Sequence, residues 1–118
     1  MTAATQFDAA EPPERPVALD DAAELDALTD TYENVLVEFY TDGCGVCASM
    51  EPVLGIVARE SDAVVATINP RDDPPLVDRF DVRSVPLLVV FRDGEPVARV
   101  ADGFQPAEDV VQLLEDAA

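Results

Sequence analysis

Six consecutive residues, Val35-Leu36-Val37-Glu38-Phe39-Tyr40, constrain this chain more than any other feature. Five are apolar or aromatic, and Glu38 alone is charged. A run that is apolar at both odd and even positions has no solvent face. It reads as a central strand covered on both sides. Covering it takes helices on two faces and crossover connections, which is an α/β architecture.

The flanking sequence supplies those parts. Val17 to Leu19 is a short strand. Asp20 or Asp21 then offers an N-cap, and Ala22, Leu25 and Leu28 fall at helical spacing in a helix ending near Tyr32. After the central strand comes the turn Thr41-Asp42-Gly43, and Cys44 stands just before a helical stretch reaching Glu60. Met50, Leu54, Val57 and Ala58 form its apolar face. Pro52 is expected to kink this helix, because it has no N–H and crowds the preceding turn. Ala63 to Ile68 is another apolar strand, 69–74 reads as loop, and Pro74-Pro75 opens a short helix through Phe80. Pro86 to Phe91 and Val97 to Val100 are strands joined by Arg92-Asp93-Gly94-Glu95, a strong hairpin signal in which Gly94 serves the turn. The last helix begins near Pro106, with Ala107, Val110, Val111 and Leu114 on its core face. The order β-α-β-α-β-α-β-β-α predicts a mixed sheet, with early parallel strands, a late antiparallel hairpin and helices on both faces.

Charge narrows the possible partners. Asp and Glu number 25 against 7 basic residues, all Arg, for a net charge of −18. Such a surface repels phosphate backbones, so nucleic acid is excluded as a partner. With 48% apolar residues the chain still has material for a core. Its self-repulsion becomes tolerable when the Debye length falls to about 3 Å at about 1 M salt, which points to a salt-rich host. No apolar run approaches the ~20 residues of a membrane span. The first ten residues lack the basic start and apolar core of a secretory signal, so the expected location is the cytoplasm. Residues 1–16, rich in Pro and acids, read as a flexible solvated tail, and 17–118 as a single domain.

Two cysteines in such a setting seldom form a structural disulfide. Their spacing, Cys44-Gly45-Val46-Cys47, is that of a redox pair. A zinc site needs four ligands, and without His or a second Cys pair only carboxylates or a dimer could complete one.

The strand 35–40 followed by Cys44-Gly45-Val46-Cys47 and Pro52, then Ser84-Val85-Pro86, Asp93-Gly94-Glu95 and Gly103, resembles the thioredoxin family in order and spacing. The resemblance covers roughly residues 17–118. It implies the thioredoxin fold and a thiol–disulfide oxidoreductase that reduces protein disulfides. Such an enzyme needs no bound cofactor, because the dithiol carries the electrons. A thioredoxin-reductase-like donor would recharge it, and the unit is expected to be a monomer. Cys44, at a helix start, is expected to attack, since orphan N–H groups and the helix dipole favour a thiolate there. Cys47, one turn further in, is expected to resolve the mixed disulfide. By the same resemblance Glu38 would relay the proton of Cys47, although the family carries Asp there. Alternatively, its carboxylate escapes to solvent at the strand edge. The resemblance also implies a cis peptide before Pro86, presenting the Val85 backbone to an extended substrate peptide. Gly103 matches a family glycine near the site, where it either admits substrate backbone or bends the chain before the last helix. Val46 is expected to be exposed beside Cys44 and to contact partners, as is Gly43, whereas Phe39 and Tyr40 are read as core. The chain departs from the family in three places: Gly43 stands for its Trp, Val46 for its Pro, and Thr67 for the Lys that partners its buried acid. These changes leave no cation near Cys44, while Asp42, Glu38 and Glu51 oppose a thiolate. A redox sensor or adaptor for one dedicated partner is the alternative reading. A structural module with an incidental Cys pair is disfavoured by Cys44, Cys47, Pro86 and Glu38 together.

Overall fold

Strand β2 (Asn34–Phe39) is buried along all but its first residue and lies in the middle of a five-stranded sheet. The computed structural model describes residues 7–117. The first part of the expected tail, residues 1–6, lies outside the described residues, as does Ala118.

The sheet order is β1-β3-β2-β4-β5, with β1 at Val17–Leu19, β3 at Val64–Ile68, β4 at Leu87–Arg92 and β5 at Glu95–Val100. β3 runs parallel to both β1 and β2, as the early crossovers predicted. β4 pairs antiparallel with β2, so the sheet changes direction at its centre as well as at the final hairpin. The edges are short or interrupted. β1 has three residues; β5 carries Pro96, and its register with β4 shifts between Val90 and Phe91.

Strand alternation divides the core in two. Val35, Val37 and Phe39 point to one face, with Leu25 and Leu28 of α1 (Ala22–Thr31) and Leu76 of α4 (Pro75–Arg79). Leu36 points to the other, with Val53, Leu54 and Val57 of α3 (Glu51–Glu60) and Val110 of α5 (Ala107–Asp116). Period two therefore carries Glu38 to the face of Leu36, beneath α3. Burial of so many Val, Leu, Ile and Phe side chains, each contributing roughly 1.5–3 kcal/mol, holds the two layers to the sheet.

Local signals account for most boundaries. The Asp21 carboxylate caps α1 by accepting from the Glu24 N–H at 2.9 Å, and Glu24 in turn accepts from the Asp20 N–H at 2.7 Å. In the β4–β5 hairpin Asp93 and Gly94 have φ of 52° and 85°, the pair of left-handed residues a tight two-residue hairpin turn requires. The helix from Cys44 is not merely kinked. It ends as α2 (Gly45–Ser49) and restarts as α3, with Pro52 in the first turn of the new helix. Pro52 cannot donate to the Ala48 carbonyl, and its ring would collide with that carbonyl if the helix ran on. The Met50 N–H closes the first segment on the Val46 and Cys47 carbonyls, and the Met50 carbonyl opens the second by accepting from the Leu54 N–H at 2.8 Å. Within the expected loop, Pro70–Asp72 forms a 3₁₀ turn capped by the Asn69 side chain.

The stretch before β1 makes contacts that its composition did not signal. The Phe7 ring meets Tyr32 edge-on at 6.4 Å, and the Tyr32 hydroxyl donates to the Asp8 carbonyl at 2.9 Å. Phe7 thereby packs against the α1 side of the core.

Candidate active site

β2 delivers the chain to the site. Tyr40 extends its ladder by one bond, N–H to the Ile68 carbonyl at 3.1 Å, and the Thr41 carbonyl then accepts from the Cys44 N–H at 3.3 Å. That turn sets Cys44 at the N-cap of α2, where its Sγ accepts from the Cys47 N–H at 3.1 Å. Cys44 and Cys47 are joined by a disulfide, with Cα atoms 5.2 Å apart. The two sulfurs are not equivalent. Cys44 is half-buried, while Cys47 is only 4% exposed.

The second segment at the site precedes β4. The Val85–Pro86 peptide is cis, as the family resemblance implied, and Pro86 is buried. The Val85 carbonyl oxygen lies 4.0 Å from Cys44 Sγ. Val46 projects outward at 44% exposure.

Beneath the disulfide lies a cavity of about 540 Å³ bordered by Glu38, Tyr40, Gly43, Cys44, Cys47, Glu51 and Thr67, among others. Glu38 is 2% exposed, and its Oε2 has no hydrogen-bond partner in the protein. The alternative of a carboxylate escaping to solvent at the strand edge is therefore wrong. β3 and β4 flank Glu38 with Thr67 and Leu88, and neither is charged. Burial first, and the charge of Glu51 second, raise the Glu38 pKa from 4.5 to about 7. The Tyr40 hydroxyl is pushed above its ordinary range by burial and by the charges of Asp42, Asp72, Glu38 and Asp20. A carboxyl group that titrates near neutrality beside a shielded thiol can exchange a proton with it.

One residue departs from its expected place. Tyr40 is not core: it is part-exposed and borders the cavity, because the strand ends at Phe39 and the backbone turns there. Gly103 has a φ of 85°, and a Cβ built on it would touch nothing within 4 Å. The glycine thus answers to backbone conformation, and the open space beside it is compatible both with the bend and with an approach of substrate backbone. Glu51 is the contributor that sequence reasoning placed only as an opponent of the Cys44 thiolate. Its spacing of three residues before Leu54 of the apolar face was the available signal that it shares the core-facing side of the helix. Among the described residues no cluster of three or more His, Cys, Asp or Glu side chains is arranged to hold a metal ion.

Known proteins align with this arrangement. The family model described as Thioredoxin matches residues 17–116. Thioredoxin of Staphylococcus saprophyticus is 39% identical over 82 residues, spanning 68% of this chain and 78% of that protein. Among solved structures, a mutant thioredoxin from Halobacterium salinarum matches with a TM-score of 0.85 at 37% identity, over 91% of this chain and 94% of that one. Oxidised thioredoxin from Plasmodium falciparum matches in fold, with a TM-score of 0.76 at 21% identity over 87% of this chain and 99% of that one.

Proposed function

The chain belongs to the thioredoxin family, and from that premise we propose that Cys44 is the attacking thiol, Cys47 the resolving thiol and Glu38 the proton relay of its reaction. It is a thiol–disulfide oxidoreductase with a CxxC pair, and the electrons travel on the cysteines themselves. Proteins of this family act on protein disulfides and are reduced by thioredoxin reductase.

The asymmetry between the two sulfurs carries the assignment of roles. In the reduced protein the Cys44 thiolate, held by the Cys47 N–H, attacks one sulfur of a substrate disulfide. A Cys44–substrate disulfide forms, and the other substrate sulfur leaves as a thiolate that takes a proton from water. Cys47 then gives its proton to the Glu38 carboxylate, and its thiolate attacks Cys44 Sγ. The bond from Cys44 to substrate breaks, the second substrate thiolate departs, and the Cys44–Cys47 disulfide remains. Two electrons have passed from the dithiol to the substrate. Gly43, Val46, Val85, Pro86 and Gly103 are assigned to the surface that receives the substrate chain. The Val85 carbonyl beside Cys44 supports a strand-like contact there.

The catalytic unit in this reading is residues 17–118 acting as a monomer. Its setting is the cytoplasm, where a dithiol is kept reduced. None of the described helices is long and apolar enough to cross a membrane.

Dithiothreitol-driven reduction of insulin in concentrated KCl tests the reading. Wild type is expected to turn over repeatedly, Cys44→Ser to be inactive, and Cys47→Ser to accumulate a Cys44–substrate disulfide. Trapping through Cys47 in the Cys44→Ser variant would reverse the roles. Absence of turnover in folded wild type would favour a sensor or adaptor for one partner.

A further inference from the structure

Glu38 shares its cavity with a second carboxylate. Glu51, in the first turn of α3, borders the same space and is exposed on its outer side. Charged and titratable groups facing Glu38 can be followed element by element. α3 contributes Glu51, and α2 and its cap contribute Cys47 and Cys44. The turn after β2 contributes Tyr40 and Asp42. β3 presents the neutral Thr67 and β4 the apolar Leu88. No Arg borders the cavity. Among the described residues the buried acid therefore has a like-charged neighbour and no cation bordering its cavity.

We propose that Glu51 is a positioning residue for thiol exchange: two carboxylates lining one cavity with Cys47, one on β2 and one on α3, together govern deprotonation of Cys47. The inference rests on Glu38 being the relay. Glu51 forms and breaks no bond. The proton moves from the Cys47 thiol to the Glu38 carboxylate, and later from Glu38 to solvent through the cavity that Glu51 borders. A base works best when its pKa lies near the operating pH. Burial alone moves Glu38 toward that range, and Glu51 moves it in the same direction. Asp42 borders the cavity too, but its charge acts on Tyr40.

Salt makes the role specific to this pair. At about 1 M salt the Debye length is about 3 Å, so carboxylates that see Glu38 only through solvent are screened out. Glu51 borders the same cavity as Glu38, so its influence is expected to outlast that of carboxylates on other faces of the molecule.

The experiment is the pH dependence of the resolving step, followed as breakdown of the Cys44–substrate disulfide formed when the prereduced protein is mixed with an insulin disulfide in concentrated KCl, a step in which Cys44 itself does not titrate. Glu51→Gln is expected to move the acidic limb down by about half a unit to one unit, a gain of roughly three- to tenfold in rate below the wild-type midpoint. Glu51→Asp, which keeps the charge, is expected to restore the wild-type midpoint. Glu60→Gln removes one exposed carboxylate at the far end of the same helix, and is expected to leave the midpoint in place. Glu38→Gln is expected to abolish the limb, with no further change on adding Glu51→Gln. An unmoved limb in Glu51→Gln, or an equal shift in Glu60→Gln, overturns the role of Glu51 while leaving the relay standing. Persistence of the limb in Glu38→Gln overturns the relay, and the inference with it.

Discussion

Removing the charge at position 38 should stabilise the protein, by an amount that depends on pH in a defined way. The Glu38 carboxyl is raised from 4.5 to about 7 by burial and by Glu51. For an acid whose folded pKa is raised, the sign is as follows. Below about pH 4.5 both states hold the proton, and the group has no effect. Between 4.5 and 7 the unfolded chain ionises while the folded one does not, so stability falls as pH rises. Above 7 both are ionised, and the loss stays constant. At 1.36 kcal/mol per unit, the full loss is about 3 kcal/mol, a large share of the 5–15 kcal/mol that holds a domain folded. Glu38→Gln keeps the shape and removes the titration. The assay is urea unfolding of the oxidised forms of wild type and variant from pH 4 to pH 9 in concentrated KCl. Oxidation keeps the thiols from titrating, and the difference between the two proteins cancels the other carboxylates. With a urea slope of about 1.5 kcal/mol per M, the variant's midpoint should gain about 2 M on wild type between the ends of the range. A difference that stays flat across pH 4.5–7 would refute the reasoning, because Glu38 would then ionise as easily in the folded protein as in the unfolded chain.

The remaining predictions concern the fold and its medium. Melting temperature should rise steeply with KCl, since a net charge of −18 repels itself in dilute buffer. A salt-independent melting curve would count against a salt-rich host. Asp21→Ala should cost about 1 kcal/mol in urea unfolding by removing the cap on the Glu24 N–H, while Asp21→Asn should cost much less. Equal losses in the two variants would mean that charge at the helix start, not the cap bond, is what matters.

What the sequence disclosed was mostly what is written locally. An apolar run at every position marks a buried strand, Asp-Gly marks a hairpin, Asp21 marks a helix start, and two Cys three residues apart mark a redox pair. Burial of Glu38 followed from the same run, because a strand without a solvent face has nowhere to put a carboxylate. The antiparallel β2–β4 pairing was not written locally. It depends on the end of the sheet at which the chain re-enters after α4, which long-range packing rather than any short motif decides. Pro52 signalled a disturbance but not its form: a lost bond to Ala48 can bend a helix or end it, and closure of the turn at Met50 decided for ending. Tyr40 reads as core because aromatic rings usually are, yet the residue just past the end of a buried strand stands where a cavity opens. The Phe7–Tyr32 contact joins residues far apart in sequence, and nothing in the Pro-rich stretch around Phe7 foretold it.

The interrupted margins of the sheet bear on how such a protein stays dispersed. In dilute buffer, like-charged molecules keep their distance by long-range repulsion. At about 1 M salt that repulsion ends within about 3 Å, and backbone edges of neighbouring molecules can meet. An open edge strand then invites another chain to add to it. Here β1 offers only three residues of edge, while β5 offers Pro96 and a register shift opposite Val90 and Phe91. Proline withholds a donor, and a bulge spoils the regular spacing that a neighbouring strand needs. In a salt-rich medium, backbone shape at the sheet's rim would be a safeguard against edge-to-edge pairing that screening cannot remove.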